Sequence, residues 1–459
     1  MSKMNVTCSE QLATFLTQIK YRDLPEAVIK MVKRCILDLL GCVFASRKMD
    51  PVRKIADLVK FYGGNQRSHI IPYLERSSSL FASFVNGAAA HAMEIDDVHR
   101  DSVTHPACVV IPAVIAIGER EDIDGRKLIE AVVAGYEVMI RVGEAVGRSH
   151  YRFWHNTSTC GTFGASAGAG KILNLTKNQF VYALGNAGSQ SSGLWEFLED
   201  GADTKFMHAG KAAMNGLIAA DLAKKEFTGA SRIFEGGKGF FLATSQDSDP
   251  DKLIEGLDGS TPSHKILSDS FKFYPSCRHT HSSIDAALSL FNDHNIDIKE
   301  VESIDVYTYR EAINLCGGGE IKNPYRAKFH IPFSVATALL YHRVWFESFD
   351  ESRVRDRSLL DIAKRVNVYF DKDLDKLYPS NWPSRIVVRF KDKKSVEKVI
   401  YTPKGDPDNP PTDDELKAKF RENVKDHLTK KSTKLLIDSI DELEKLDHIS
   451  ELFDCIEFS

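Results

Sequence analysis

The amino-acid sequence predicts a mainly α-helical protein that also contains a smaller α+β part. Over the first 260 residues, apolar side chains recur at spacings of three and four, the period of helices with one buried face. After about residue 265 the pattern changes to short segments rich in β-branched and aromatic residues. A charged stretch with helical spacing ends the chain. We therefore expect one large helical domain built from residues 1–265 and 406–459, with an α+β domain at residues 266–405 inserted between its two parts.

The helical part is predicted segment by segment. Residues 24–46 have Pro25 at a helix start, a favoured position for proline, and one apolar stripe after it. Further segments repeat this pattern but are rich in alanine and glycine, which let helices approach closely. These segments are 109–120, 127–147, 161–175, 179–199 and 210–227. They predict the buried helices of a tightly packed bundle.

The α+β part has three strand-like segments. Residues 301–310 and 364–371 read as single strands, and residues 384–403 read as a hairpin that turns at residues 391–394. Helical pieces are expected around 281–293 and 332–343. The stretch PKGDPDNPPTDDE at residues 403–415 is the clearest linker, because proline, aspartate and glycine dominate it.

Composition excludes several classes of protein. A net charge of −4 and a pI near 6.4 argue against a dedicated nucleic-acid binder, which would carry a basic surplus. No run reaches the roughly 18 uncharged apolar residues that a membrane span needs, and we interpret the N-terminus as lacking a signal peptide. The eight scattered cysteines, with no C-x-x-C pair, are typical of reduced thiols. We therefore expect a soluble cytoplasmic protein with no nucleic-acid or membrane partner.

Glycine-rich and histidine-rich motifs do not predict a cofactor. GASAGAGKI at residues 164–172 resembles a phosphate loop, but Ala165 and Ile172 replace residues that such a loop needs. We interpret EGGKGF (235–240) and CGGGE (316–320) as turns. His279 and His281 form an H-x-H pair, yet no motif fixes three metal ligands in one local frame. The expectation is a protein with neither metal nor cofactor.

One stretch concentrates titratable groups inside an apolar context. Residues 91–106, HAMEIDDVHRDSVTHP, carry four carboxylates, three imidazoles and one guanidinium, with small apolar residues on both sides. Glu94 and Asp97 are three residues apart, which would place them on one face of a helix. His105 titrates near neutrality and can carry a proton in either direction. This stretch has two interpretations. One is a solvated acidic loop, and the other, which makes a specific prediction, is a site of general acid–base chemistry.

Three further polar groups stand where buried-looking helices are predicted to begin. Helix N-termini and cationic side chains together favour anions. These groups therefore predict a pocket for a small ligand that carries carboxylates. The residues are His155 in the first group, Lys205 and His208 in the second, and Lys272, Arg278, His279 and His281 in the third.

Taken together, four stretches resemble the MmgE/PrpD family, which includes 2-methylcitrate dehydratase, cis-aconitate decarboxylase and iminodisuccinate epimerase. They are NGAAAHAMEIDDVHRDSVTHPACVVIPAVIAIGE, HNTSTCGTFGASAGAGKIL, TKFMHAGKAAMNGLIAADLA and FKFYPSCRHTHSSIDAAL. They occur in the family's order, and the resemblance spans about residues 10–450. It implies a helical domain formed by both chain ends, an α+β lid domain, a homodimer, and a cofactor-free active site between the domains.

The resemblance also implies site residues. In decarboxylase members the site holds an acidic residue, two histidines and two lysines, which match Glu94, His105, His155, Lys205 and Lys272 of this sequence. The sequence departs from the pattern at two positions, since Glu94 replaces an aspartate and Val98 a threonine. The loop from 97 to 105 is also shorter than in the methylcitrate dehydratases. The resemblance implies a catalytic lid tyrosine as well, for which we consider Tyr309.

These residues predict proton transfer at a carbon next to a carboxylate. Lys205, Lys272 and Arg278 would hold substrate carboxylates, with further substrate contacts from His208, His281 and Tyr309. His105 or His155 would move the proton, and Glu94 or Asp97 would orient the imidazole. The expected function is a cofactor-independent lyase, a dehydratase or decarboxylase, on a citrate- or aconitate-like acid. An epimerase of an iminodisuccinate-like dicarboxylate and a non-catalytic carboxylate-binding protein are the alternatives.

Overall fold

A computed structural model describes residues 6–257, 264–454 and 456–459 of the chain. Cys455 lies outside the described residues. The chain divides into two compact units. The first comprises Met1–Ala92, Asp96–Asp269 and Thr412–Ser459, and the second comprises Met93–Ile95 and Ser270–Pro411. The sequence analysis placed the boundaries at 265/266 and 405/406. It did not predict that Met93–Ile95 belongs to the second unit.

The described residues form helices in most of the chain. In chain order they are α1 (Cys8–Gln18), α2 (Glu26–Ala45), α3 (Asp50–Tyr62), α4 (Ser79–Ala92), α5 (Ala107–Glu121), α6 (Gly125–Val146), α7 (Arg148–Tyr151), α8 (Asn156–Ile172), α9 (Lys177–Gly188), α10 (Phe197–Asp200), α11 (Thr204–Lys224), α12 (Phe240–Thr244), α13 (Pro250–Ile254), α14 (His281–His294), α15 (Arg310–Cys316), α16 (Pro324–Ala327), α17 (Ile331–Tyr341), α18 (Glu351–Val354), α19 (Arg357–Ala363), α20 (Lys372–Asp375), α21 (Asp413–Val424), α22 (Lys430–Asp441) and α23 (Glu451–Asp454).

The strands are few and short. They are β1 (Ser68–Ile70), β2 (Glu75–Ser77), β3 (Val98–His99), β4 (Asp269–Ser270), β5 (Val301–Thr308), β6 (Val366–Phe370), β7 (Ser384–Phe390) and β8 (Ser395–Ile400). The predicted class, mainly α with a smaller α+β part, is confirmed. The strands expected at 301–310 and 364–371 and the hairpin turning at 391–394 are present as β5, β6 and the β7–β8 pair.

Small residues explain how the helices of the first unit pack. A Cβ atom added to Gly164 of α8 would lie 2.8 Å from the carbonyl oxygen of Gly135 in α6. A Cβ atom on Gly210 of α11 would lie 2.0 Å from the carbonyl oxygen of Phe84 in α4. Both distances are too short for any residue larger than glycine. Helices α4, α6, α8 and α11 therefore pack backbone against backbone, and side chains at their ends are brought close together.

The C-terminal helices belong to the first unit. Lys419 of α21 forms an ion pair with Asp38 of α2, with Nζ 2.6 Å from Oδ1, and both side chains are almost fully buried. Residues more than 370 positions apart in the chain thus share one core. This agrees with the expectation that both chain ends build the helical domain.

One helical prediction extends too far. The segment 179–199 was expected to be a single helix, but α9 ends at Gly188 and only Phe197–Asp200 is helical again. The intervening residues turn, with Gly193 at a φ of +135°, a conformation that only glycine adopts readily. The carbonyl of Gly193 accepts a hydrogen bond from the N–H of His155. This turn therefore helps to hold a predicted site residue.

The second unit is built on a four-stranded sheet of order β6-β5-β7-β8. Strand β5 pairs with β6 in parallel and with β7 in antiparallel orientation, and Ile304 lies opposite both Val366 and Val388. The N–H of Phe271 donates to the carbonyl of Gly405, and the N–H of Lys404 donates to Asp285. These bonds tie residues 404 and 405 to the second unit, whose last segment ends at Pro411.

Several smaller expectations can be compared with the described residues. Residues 164–172 lie inside α8 and are buried, so they pack helices. The seven described cysteines are free thiols. No helix among the described residues combines the length and the apolar character needed to cross a membrane.

Candidate active site

Four imidazoles and one ammonium group come together in the first unit. His91 lies in the last turn of α4, and His105 stands two residues before α5. His155 precedes α8, and Lys205 and His208 lie in the first turns of α11. The ring centroids of His91 and His105 are 4.8 Å apart, those of His91 and His155 are 5.6 Å apart, and those of His155 and His208 are 5.4 Å apart. We call these five residues the imidazole cluster. The predicted residues His105, His155 and His208 thus lie near one another in the first unit.

A buried carboxylate orients the cluster. Oδ2 of Asp96 lies 2.7 Å from Nδ1 of His91 and 3.6 Å from Nδ1 of His105, and Asp96 is fully buried. A carboxylate beside an imidazole fixes the orientation of the ring and stabilises its protonated form. Asp96 is therefore the carboxylate that contacts these rings, whereas the sequence assigned the orienting role to Glu94 or Asp97.

Asp97 acts on His105 through its backbone. Its carbonyl oxygen accepts a hydrogen bond from Nδ1 of His105, so the neutral ring carries its lone pair on Nε2. The carboxylate of Asp97 instead accepts from the N–H of Ala107, the first residue of α5, at 2.9 Å and from the hydroxyl of Tyr136 at 2.9 Å. Burial raises the pKa of Asp97 to about 7, and the neighbouring Asp96 carboxylate adds to this.

The helical spacing proposed for Glu94 and Asp97 is wrong. Helix α4 ends at Ala92, and the residues that follow are turn and extended. Glu94 has a φ of +59°, which terminates the helix. The period of three and four therefore does not apply to this stretch.

Burial disfavours the protonated form of two imidazoles of the cluster, those of His155 and His208. Burial lowers the pKa of His155 well below its usual value, and the nearby His208 and His91 lower it further. Burial also lowers the pKa of His208 to about 4, with additional contributions from His91, Lys205 and Lys211. Desolvation disfavours the charged ring, and a bound anion would reverse that preference. The cluster thus suits a negatively charged ligand.

Among the residues that the structure describes, two groups of side chains have the composition of a metal site. Ligand atoms of His91, Asp96 and His105 lie within 4.8 Å of one another, as do those of His99, Asp101 and Glu144. Two ligands of one zinc ion stand about 3.3 Å apart for bonds near 2.0 Å. The 2.7 Å separation of His91 Nδ1 and Asp96 Oδ2 is therefore that of a hydrogen bond. In the second group, Lys265 already supplies a cation, because its Nζ lies 2.6 Å from Glu144 Oε2.

The second unit holds a cluster of its own around Glu94. Nζ of Lys272 lies 3.5 Å from Oε2 of Glu94 and donates to its carbonyl oxygen at 3.2 Å. The hydroxyl of Tyr325 donates to Oε1 of Glu94 at 3.3 Å. Glu94 and Lys272 are almost fully buried. Two of the predicted residues are thus in contact, and Tyr325 joins them.

Tyr309 has a different environment from the one we expected. Its hydroxyl lies 2.6 Å from Nδ1 of His279, and its ring stacks on Tyr378 with centroids 4.6 Å apart. His279 in turn stacks on Trp382 at 4.4 Å. Tyr309 is thus part of the aromatic core of the second unit. Tyr325 is the tyrosine that contacts Glu94.

Arg278 and His281 also make internal contacts. Nη1 of Arg278 donates to the carbonyl of Lys404 at 3.1 Å, and its guanidinium lies 3.7 Å from Asp406. Both ring nitrogens of His281 have partners, Arg278 at 3.2 Å and the carbonyl of Ser276 at 3.4 Å. These contacts hold the stretch after β8. A substrate role for either residue stays a prediction.

The sequence interpretation left three residues of these clusters without a role. His91 and Asp96 were recognised as titratable, but nothing in the spacing separates Asp96 from its neighbour Asp97. The signal for His91 is its position four residues after a glycine on a small-residue helix. Tyr325 is one of 14 tyrosines, and only its contact with Glu94 distinguishes it.

Known proteins match the chain over nearly its whole length. The family model of the MmgE/PrpD N-terminal domain matches residues 10–253, and that of the MmgE/PrpD C-terminal domain matches residues 274–445. A cis-aconitate decarboxylase-like protein of Aspergillus oryzae is 26% identical over 98% of this chain and 96% of its own. The cis-aconitate decarboxylases of Mus musculus and Homo sapiens are 26% and 27% identical, over 97% of this chain and 92% and 93% of theirs. The chain therefore belongs to the MmgE/PrpD family.

Proposed function

We propose that this protein is a cofactor-independent lyase that removes CO₂ from a small unsaturated tricarboxylate of the cis-aconitate type. Relatives named as cis-aconitate decarboxylases span more than nine-tenths of both chains. The observation that carries the proposal is the Asp96-bound pair of His91 and His105 beside the buried His155. Such an arrangement supports proton transfer next to a carboxylate in a site shielded from water.

The proposed reaction consumes one proton. When the carboxylate on the methylene arm of cis-aconitate leaves as CO₂, the electron pair of the broken C–C bond forms a new double bond. The original double bond shifts, and its far carbon becomes basic and takes a proton. One C–C bond breaks, one C–H bond forms, and the product is an unsaturated dicarboxylate. The site must therefore deliver a proton to carbon and stabilise an extra negative charge.

The imidazole cluster supplies both requirements in this proposal. Lys205 is 2% exposed and lies beside His155, so its ammonium group can bind a substrate carboxylate in a dry environment. The charge of the bound substrate raises the pKa of His155 and His208, which burial lowers in its absence. His155 and His105 then carry the proton, and Asp96 holds His105 in place.

We extend the proposal to Glu94, Lys272 and Tyr325 of the second unit. The family resemblance implies that Glu94 and Lys272 take part in catalysis, and Tyr325 contacts Glu94. Tyr325 takes the role of the lid tyrosine that we first considered for Tyr309. Because Glu94 and Lys272 are buried together, a substitution that removes the charge of one leaves the charge of the other without this partner.

An NMR assay in D₂O tests the proposal. The purified protein is supplied in turn with cis-aconitate, methylcitrate and iminodisuccinate. We expect loss of CO₂ from cis-aconitate and one deuteron in the product. The variant His105→Gln should lose turnover and keep substrate binding. Absence of CO₂ release from cis-aconitate would contradict the proposal. Deuterium uptake by iminodisuccinate without net bond cleavage would instead select the epimerase.

A dehydratase or a lyase for a different acid is the second candidate. Glu94 is one methylene longer than the aspartate of the decarboxylase pattern, and Val98 lacks the hydroxyl of the threonine. Both changes alter the space and the polarity next to the site residues. Release of water from methylcitrate without CO₂ in the same assay would favour this candidate.

A further inference from the structure

A pocket of about 500 Å³ lies in the first unit beside the imidazole cluster. Its lining includes Trp154, Leu194, Phe197, Met207, His208 and Lys211. Leu194 and Met207 are 55% and 37% exposed, so the pocket reaches the protein surface. His208 thus belongs both to the imidazole cluster and to the lining of a solvent-accessible space.

His208 connects this pocket to a deeper ring. Its Nδ1 lies 3.2 Å from Nδ1 of His155, and His155 is only 2% exposed. The ring of His155 packs against Trp195 on one side and His91 on another, with centroids 4.8 Å and 5.6 Å away. The Nδ1 of His208 therefore gives His155 a direct hydrogen-bonded link to the pocket.

The short distance between the two nitrogens has a chemical consequence. One Nδ1 must carry a hydrogen and the other a lone pair, so the two neutral rings are opposite tautomers. An imidazole can accept a proton on one nitrogen and release another from the second. No described side chain hydrogen-bonds Nε2 of His208, which leaves that nitrogen for water or buffer in the pocket.

We propose that His208 relays protons from the pocket to His155. The inference rests on the proposed function, in which each turnover consumes one proton. A proton from water or a buffer acid binds Nε2 of His208, and His208 passes the proton on Nδ1 to Nδ1 of His155. His155 releases the proton on Nε2 to the substrate carbon. The net change is the transfer of one proton from solvent to product. After the transfer each ring carries its hydrogen on the other nitrogen, and both rings must return to their starting tautomers before the next turnover.

The surroundings of His208 suit a relay better than an anion-binding role. Lys205 and Lys211 lie on the same helix face, three residues before and after it, and their charges disfavour a permanently charged ring. Lys211 donates to the hydroxyl of Ser192 at 3.1 Å, and no carboxylate of the described residues pairs with it. A ring that does not hold its proton passes it on quickly. His208 thus acts through His155 and need not touch the substrate.

Chemical rescue tests the relay. We expect His208→Gln to lower kcat about 100-fold with little change in KM, the range of a lost proton-transfer group. Added imidazole should restore turnover of this variant in a saturable manner, because it can enter the pocket and replace the missing ring. Imidazole should not rescue His155→Gln, since that position is buried. The exposed His448→Gln serves as the control, with normal kcat and no response to imidazole.

Two outcomes overturn the relay. One is normal kcat in His208→Gln, and the other is a loss of kcat that imidazole does not restore. Long-range ¹⁵N–¹H NMR of the wild-type protein separates this proposal from the proposed function, since it needs no substrate. Opposite tautomers of His155 and His208 support the relay even if the substrate panel gives no turnover. The same tautomer in both rings overturns it even if the protein is a decarboxylase.

Discussion

Oδ2 of Asp96 lies 2.7 Å from Nδ1 of His91, and both side chains are fully buried. The same oxygen lies 3.6 Å from His105, so one carboxylate serves two rings. Asp96→Asn should lower kcat by about 10- to 100-fold, because an amide lacks the charge that stabilises a protonated His105. Steady-state kinetics with cis-aconitate measure the effect.

The matched control for Asp96→Asn is Asp57→Asn, the same change at an exposed position of α3. It should leave both kcat and the midpoint of thermal unfolding unchanged. If Asp96→Asn keeps wild-type kcat, the carboxylate is structural and the proton-transfer role of His105 has to be assigned without it.

Two tyrosines of the second unit should respond in opposite ways to loss of the hydroxyl. Tyr325→Phe removes a hydrogen bond to Glu94 and should lower kcat, with little effect on stability. Tyr309→Phe removes the hydrogen bond to His279 in the aromatic core and should cost about 1 kcal/mol of unfolding free energy, with kcat preserved. Steady-state kinetics and urea denaturation of both variants measure kcat and the unfolding free energy. A loss of kcat in Tyr309→Phe alone would restore our first assignment of the lid tyrosine.

The pKa of Asp97, raised to about 7 by burial, predicts a pH dependence of stability. Between about pH 4 and pH 7 the folded protein binds a proton at Asp97 that the unfolded chain has lost, since an ordinary aspartate titrates near 3.9. The unfolding free energy should therefore fall as pH rises through this window, by at most about 1.4 kcal/mol per pH unit from this group. Asp97→Asn removes the titration and should flatten the curve. Urea denaturation at several pH values compares the two proteins, and parallel curves would contradict the assignment.

The fold could be predicted from the sequence because its signals are local. The apolar stripe of residues 24–46 and the alternation in residues 384–400 each report which face of a helix or strand is buried. The prediction failed where a backbone turn interrupts such a pattern. Residues 179–199 keep helical spacing, yet α9 ends at Gly188, and the turn that follows holds Gly193 at a positive φ with its carbonyl bonded to His155.

The candidate site could be predicted only in part, for a related reason. Local pattern identified His155, Lys205 and His208 as polar residues at helix starts and His105 as part of the titratable stretch 91–106. The structure brings the rings of these three histidines close to His91 or to one another. Which carboxylate faces which ring depends on the turn after α4, where Glu94 has a positive φ. That conformation sends Asp96 toward His91 and Asp97 toward the start of α5. Neighbouring residues of the same chemistry thus receive different roles.

The ion pair of Asp38 and Lys419 should be important for joining the C-terminal helices to the first unit. Both side chains are almost fully buried, with Nζ 2.6 Å from Oδ1. Lys419→Met leaves a buried carboxylate without its partner and should cost about 3–5 kcal/mol of unfolding free energy. Replacing both residues together, as Asp38→Leu with Lys419→Met, should cost less than the single change. Lys417→Met, which removes an ion pair to the half-exposed Asp441, is the control and should cost at most about 1 kcal/mol.

The approach of α4 and α11 at Gly210 should control activity from outside the imidazole cluster. A Cβ atom at this position would lie 2.0 Å from the carbonyl oxygen of Phe84, a contact that neither backbone can relieve without moving. Gly210→Ala should therefore shift α11 away from α4 and displace His208, two residues earlier, from His155.

We expect Gly210→Ala to lower both the midpoint of thermal unfolding and kcat, since a displacement of about 1 Å at reacting groups costs about 100-fold in rate. Gly237→Ala is the matched control, because a Cβ atom there meets no other atom within 4 Å. It should retain stability and turnover. If Gly210→Ala lowers stability but keeps full kcat, the first turns of α11 hold their position without this contact, and packing and catalysis are independent at this helix pair.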